Sequence, residues 1–190
     1  MTGTAPDRLD TLAEIHAALW RELGRAALDR HHEWRTPVLA TVAADGLPDA
    51  RTVVIREVQA AARRLVVYTD ARAGKVAQLV AQPAAMLVLW SRRLGWQLRL
   101  RLHAEVLSDG LAVTSRWASL RATPAARDYL SPLAPGAALP TDGGPQPAED
   151  RAHFALLDAT VQRIDWLELH RDGHRRAVFE AASPGVWVNP

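Results

Sequence analysis

Residues 96–107, WQLRLRLHAEVL, alternate between apolar and polar side chains without a break. Leu98, Leu100, Leu102, Ala104 and Val106 fall on one side; Gln97, Arg99, Arg101, His103 and Glu105 fall on the other. A period of two over this length specifies a β-strand with one buried and one wet face, and fits no helix. The segment just before it, AAMLVLW (84–90), is a continuous apolar run, as expected of a well-buried strand.

Other stretches extend the pattern. TPVLATVAADGLPDARTVVIREV (36–58) reads as two β-branched runs broken by Asp45-Gly46, a hairpin signal. RRLVVYTD (63–70), FALLDATVQRIDWLEL (154–169), RRAVFEA (175–181) and VWV (186–188) read as further strands, with RDGH (171–174) as a turn. Helices are few. Leu12, Ile15, Leu19, Leu23 and Ala26 recur at three- and four-residue steps, which predicts an amphipathic helix over roughly 8–30, within an N-terminal segment 1–33. GKVAQLVAQ predicts a short helix stopped before Pro83. Ser108 or Asp109 can cap another that includes Trp117, and Pro124 marks its end or a new turn. Residues 131–150, rich in Pro, Gly and Ala, read as a long surface loop. About seven strands with no βαβ alternation point to a mainly β fold, a closed or partly closed barrel with flanking α-helices. No repeat or second-domain boundary is visible, so residues 1–190 are expected to form a single domain.

Composition narrows the chemistry. With 48% hydrophobic residues a chain of 190 can bury most of its surface, roughly 70% at this size. A formal charge of +2 gives little support to a nucleic-acid partner. The absence of cysteine excludes disulfides, thiolate nucleophiles and cysteine-ligated clusters, so redox chemistry would need a bound cofactor. No apolar run approaches the ~20 residues of a membrane span, and the first thirty residues lack a signal core. The expected setting is soluble and cytoplasmic, with no membrane partner. Seven tryptophans suit a buried interface or a flavin or nucleotide site, without choosing between them.

The single lysine, Lys75, ends the stretch YTDARAGK (68–75), between a strand and a helix start. A compact ammonium at a helix N-terminus is suited to an anion. A nucleoside-triphosphate loop is excluded, because Thr69 stands where the first glycine belongs and Val76 follows the lysine. A phosphate site built from Thr69, the backbone near Gly74, Lys75 and Arg51 or Arg56 remains, beside the alternative of a solvated basic rim. Strand periodicity puts positions 51 and 56 on opposite faces, so both reach one ligand only through a bulge or from different ends.

RTVVIR (51–56), VVYTDARAGKVAQL (66–79), WQLRLRLHAEVL, IDWLEL (164–169) and HRRAVF (174–179), in that order, resemble the pyridoxamine 5'-phosphate oxidase-like FMN-binding proteins, in a branch often known only as FMN-binding. The resemblance implies a split β-barrel homodimer with FMN at the subunit interface. It implies that Arg51 holds the FMN phosphate with Lys75, and that the strand Thr52, Val53, Val54, Ile55 and Arg56 meets the flavin ring. Tyr68 and Thr69 match the family's Tyr-Thr pair, and Gln97 a glutamine directed at the ring. Trp166 lies one position early for a tryptophan supplied by the other subunit. Trp117 and Arg121 fall where the family binds its substrate, with Ala125 in place of a serine. Arginines common in the family are replaced by Gly74 and Val178, Arg72 being a candidate substitute for the first, and Arg56 replaces a lysine. The implied activity is an FMN-dependent oxidoreductase acting on a small substrate, with authentic pyridoxamine 5'-phosphate oxidation doubted. A non-catalytic flavin-binding protein and a deazaflavin-dependent reductase are the alternatives.

Two histidine groups compete weakly. His170 and His174 flank the Asp172-Gly173 turn and lack a third ligand, so no metal site is expected; His31-His32 reads as a frayed helix end, and His16 as a helix-face residue. Arg92, Arg93, Arg99 and Arg101 beside Trp90 and Trp96 read as a barrel rim or dimer contact rather than a nucleic-acid surface.

Overall fold

The helical period near the N-terminus becomes α1 (Leu12–Leu28), opened by a capping box in which Thr11 and Glu14 satisfy each other's backbone N–H groups. Its stripe of Ile15, Leu19, Leu23 and Ala26 is buried against the sheet. The computed structural model describes residues 8–139, 153–181 and 183–190. Part of the 131–150 loop, residues 140–150, lies outside them, as does the start of the N-terminal segment; residues 131–139 carry no helix or strand.

Among the described residues nine antiparallel strands form the sheet: β1 (Val38–Val42), β2 (Pro48–Thr52), β3 (Ile55–Gln59), β4 (Arg64–Asp70), β5 (Ala84–Ser91), β6 (Trp96–Leu107), β7 (Phe154–Glu168), β8 (Arg175–Glu180) and β9 (Val186–Val188). Asp45-Gly46 does make the β1–β2 hairpin, with Gly46 at φ +82°. The alternating segment is β6. Its Leu98, Leu100, Leu102 and Ala104 are buried, and its two ladders run to β5 and β7.

The path β2-β1-β5-β6-β7-β4-β3 ends on two strands that are consecutive in sequence. The 51–56 segment is therefore not one strand. It breaks at Val53-Val54, where the chain crosses between the two ends of the path, and this division turns one expected strand into two. Val53 N–H donates to the Pro37 carbonyl at 3.0 Å across that break. β7 splits the architecture: residues 154–160 pair with β4, while 163–168 pair with β8, whose other side carries β9.

α2 (Gly74–Ala81) buries Val76 and Leu79 in the core enclosed by the sheet and α1. α3 (Gly110–Leu120) and the 3-10 turn Pro124–Tyr129 cover a second, smaller apolar cluster around Phe154 on the other sheet face. No described helix is long and apolar enough to cross a membrane.

Candidate functional site

β4 ends at Asp70, a tight turn follows, and α2 begins with no side-chain cap on its first N–H groups. Such an end carries partial positive charge and unpaired donors. A Cβ built on Gly74 would meet nothing within 4 Å, so there is open room at this helix start. Lys75 is half-buried, and among the described residues it has no hydrogen-bond or carboxylate partner. Burial and the charge of nearby Arg51 push its ammonium below the ordinary lysine range, with Asp70 opposing them. The site is short of negative charge.

Arg51 comes from edge strand β2, on the face it shares with buried Leu39 and Thr41. Its guanidinium donates to Thr41 Oγ1 at 2.5 Å and to Gln78 Oε1 at 3.1 Å, and pairs with Asp49. Gln78 Nε2 in turn donates to Asp49 at 2.8 Å. That bond first, then Arg51, holds the Asp49 carboxyl below its usual range. β1, β2 and α2 thus fix one guanidinium near Lys75. Thr41, Asp49 and Gln78 escaped the sequence reading. Asp49 could have been found two residues before Arg51 on the same strand face, and Gln78 three after Lys75 on the helix.

Arg56 does not join this group. The β3–β4 register slips between Ile55 and Glu57, so a bulge does occur, but it turns Arg56 over the Tyr68 ring, 5.5 Å from its centroid. The Arg56 Nε is buried without a partner among the described residues. Beside it, Arg116 of α3 grips Glu57 with two hydrogen bonds of 2.6 and 2.7 Å, and Tyr68 donates to Glu57 at 3.2 Å. Burial and then the Glu57 charge push the Tyr68 phenol up to about 12. Of the crossing segment, Val53 and Ile55 are buried, Val54 is half-buried and Thr52 is exposed.

Several expected site residues lie elsewhere. Thr69 is buried and its hydroxyl donates to the Asp70 carbonyl at 3.3 Å. Trp166 is wholly buried, packed on Trp96 at 5.5 Å and Trp187 at 6.2 Å, so its ring is not presented to a partner subunit. Trp117 is buried against Phe154 at 5.3 Å, whereas Arg121 is exposed at the end of α3. Arg72 does not replace the arginine missing at Gly74: Asp70 binds it, and the carbonyls of Ser131, Pro132 and Leu133 accept its remaining donors. Gln97 lies on the outer sheet face, opposite to that of Arg51. His32 is no frayed end, since its ring accepts from Trp34 N–H and contacts Glu22 at 3.1 Å. His170 and His174 accept backbone N–H groups of their own turn, and no group of three metal-ligating residues occurs among the described residues.

Comparison with known proteins agrees with this architecture. Residues 17–108 match the family profile described as pyridoxamine 5'-phosphate oxidase, FMN-binding domain. A pyridoxine/pyridoxamine 5'-phosphate oxidase of Thermosynechococcus vestitus is 41% identical over 70 residues, 37% of this chain and 32% of that protein. The chain thus matches only about a third of that oxidase's length. The crystal structure of a pyridoxamine 5'-phosphate oxidase-related, FMN-binding protein from Nostoc punctiforme superposes with a TM-score of 0.72 at 26% identity, covering 92% of this chain and 96% of that one. PhzG from Burkholderia lata, solved with tetrahydrophenazine-1-carboxylic acid, shares the fold, with a TM-score of 0.75 at 18% identity over 98% of this chain and 100% of that one. Across residues 17–108 the chain is thus assigned to the pyridoxamine 5'-phosphate oxidase-like family of FMN-binding split-barrel proteins, and its fold follows that of the Nostoc punctiforme protein.

Proposed function

We propose that the chain binds FMN through the Lys75–Arg51 cluster and acts as an FMN-dependent oxidoreductase on a small substrate. In this reading residues 1–190 work as one unit, in a homodimer with FMN at the subunit interface. The observation that carries it is the uncapped start of α2 beside a guanidinium already held in place and a half-buried lysine that has no carboxylate partner among the described residues. A phosphate monoester fits that donor set: it supplies the missing negative charge and accepts from helix N–H groups, an ammonium and a guanidinium together. The open room at Gly74 is where such a group could approach the backbone.

FMN bound there would supply the capacity to accept a hydride or electron pair from substrate and pass it on. The chain's own part is binding and orientation. Lys75 and Arg51 hold the phosphate, while Thr41, Gln78 and Asp49 keep the guanidinium from swinging into solvent. The segment Thr52–Arg56 joins the Arg51 cluster to the Arg56–Tyr68 contact, and its residues would border the flavin ring. Gln97, on the opposite face, could act on the same ring only from a second copy of the chain, which supports the dimer.

The test is visible absorbance and FMN titration of the purified protein, followed by reduction of bound flavin with nicotinamide and amine donors. Flavin bands with turnover support the reading; a colourless protein indifferent to added FMN overturns it, and binding without turnover leaves a flavin carrier. Pyridoxamine 5'-phosphate should be a poor substrate, because Trp117, which is buried, and Ala125, which is half-buried, offer no hydroxyls for a second phosphate. Steady-state oxidation should give a kcat/KM below about 10⁴ M⁻¹s⁻¹.

A further inference from the structure

Away from Lys75, α1 and the turns after β5 and β7 enclose a cleft of about 470 Å³, within the range of small-molecule sites. Its apolar lining includes Ala18, Leu94, Trp96 and Leu169. The Trp96 indole is locked, its N–H donating to Glu168 at 3.3 Å. The wall is set by backbone: Gly95 has φ +66°, its carbonyl accepts Leu169 N–H at 2.8 Å, and a Cβ there would lie 2.7 Å from the Leu169 carbonyl oxygen. The cleft is therefore preformed.

Charge around it is unbalanced. Five arginines (8, 21, 25, 92 and 93) line the cleft against two buried acids, Glu22 and Glu168. Both acids are already engaged. Glu168 takes Arg8 and Arg175, each at 2.8 Å, and Glu22 takes Arg25 at 2.9 Å and Arg93 at 2.6 Å. The side chains of Arg21 and Arg92 make no hydrogen bond or ion pair among the described residues. Two guanidiniums without acids thus stand at the mouth of an apolar, aromatic-walled recess.

We infer that this cleft is a second ligand site, separate from the flavin cluster, for a small aromatic anion. The ring lies against the lining formed by Leu94 and Trp96, and the carboxylate or phosphate faces Arg21 and Arg92. A neutral ring would leave the guanidiniums unmatched, and a bare anion would leave the apolar lining wet, so the site asks for both parts in one molecule.

The experiment is titration calorimetry on the FMN-saturated full chain, with 1-naphthoate, 1-naphthyl phosphate and neutral 1-naphthylmethanol as probes. The expected result is one saturable site per chain for the anions, with the neutral probe at least about tenfold weaker. Arg21→Gln with Arg92→Gln should weaken the anions by about ten- to a hundredfold and leave the fold intact, since neither side chain has a partner to lose. The tighter of the two anions identifies a phosphate or a carboxylate as the headgroup. Lys75→Ala should leave naphthyl binding unchanged. The inference fails if no probe saturates, if the double variant binds as the wild type does, or if Lys75→Ala abolishes binding. The same titration on FMN-free protein should give the same result, so failure of the flavin reading and failure of this one are separable.

Discussion

Lys75 is the one ammonium in a chain whose other basic side chains are arginine and histidine, and its surroundings give it a measurable signature. Lys75→Ala should weaken FMN by about 1.5–3 kcal/mol, on the order of ten- to a hundredfold in Kd, and riboflavin far less. Arg51→Ala should act similarly or more strongly, since it also releases Asp49 and Gln78 beside the phosphate. Equal losses for riboflavin and FMN would show that neither side chain holds the phosphate. Burial and Arg51 lower the Lys75 pKa below its ordinary 10.5 in the free protein. Bound phosphate favours the charged ammonium, so affinity is retained while Lys75 is protonated and falls as pH rises through that lowered value. FMN titrations across alkaline pH should show this limb beginning below 10.5 in the wild type and missing in Lys75→Ala.

Two contacts between elements invite perturbation. Gly95 lets the β5–β6 turn lie on the end of β7, and Gly95→Ala would combine a left-handed backbone with a Cβ 2.7 Å from the Leu169 oxygen. A loss of about 1–3 kcal/mol in unfolding free energy is expected by denaturant titration; an unchanged midpoint would mean that the turn relaxes freely. The second contact joins α3 to β3 through Arg116 and Glu57. Hydrogen bonds from Arg116 first, and its charge, hold the Glu57 carboxyl below its ordinary 4.5 against the cost of burial. A lowered folded-state pKa contributes stability above 4.5 that is lost as pH falls through the folded value. The stability gap between wild type and Glu57→Gln should therefore be widest near neutrality and close on acidification. A gap independent of pH would locate the effect in packing instead.

On the outer sheet face α3 covers only the end near β4, and the part over β1, β5 and the start of β6 carries no described α-helix. Val38 at 39% and Trp90 at 46% exposure lie on it, with Val88 directly opposite Val38 in the ladder. An apolar surface of this kind on a twisted sheet is suited to a second copy of the chain. Sedimentation should show a dimer with a total interface above roughly 1,000 Å². Val38→Asp with Trp90→Asp should shift the protein to monomer and weaken FMN together, because Gln97 shares this face. A monomer in the wild type under saturating FMN would contradict the arrangement.

Strands, hairpin and amphipathic helix were legible along the chain because each rests on a local period. The alternation of β6, the Asp45-Gly46 turn and the α1 stripe need only near neighbours to be read. Lys75 at a helix start was legible for the same reason. Contacts over long separations were not. The bond from Thr41 to Gln78 spans 37 residues, and no period announces it. The break at Val53-Val54 follows from β2 and β3 ending opposite edges of the sheet path, so a segment that reads locally as one strand must divide when the barrel is drawn together. That division separates Arg51 from Arg56 and gives them different neighbours. Burial of Trp166 and Trp117 likewise depends on which rings meet across the sheet, a matter of packing rather than sequence spacing. Periodicity sets which way a side chain points along its own element, but what it meets there depends on how distant elements close around it.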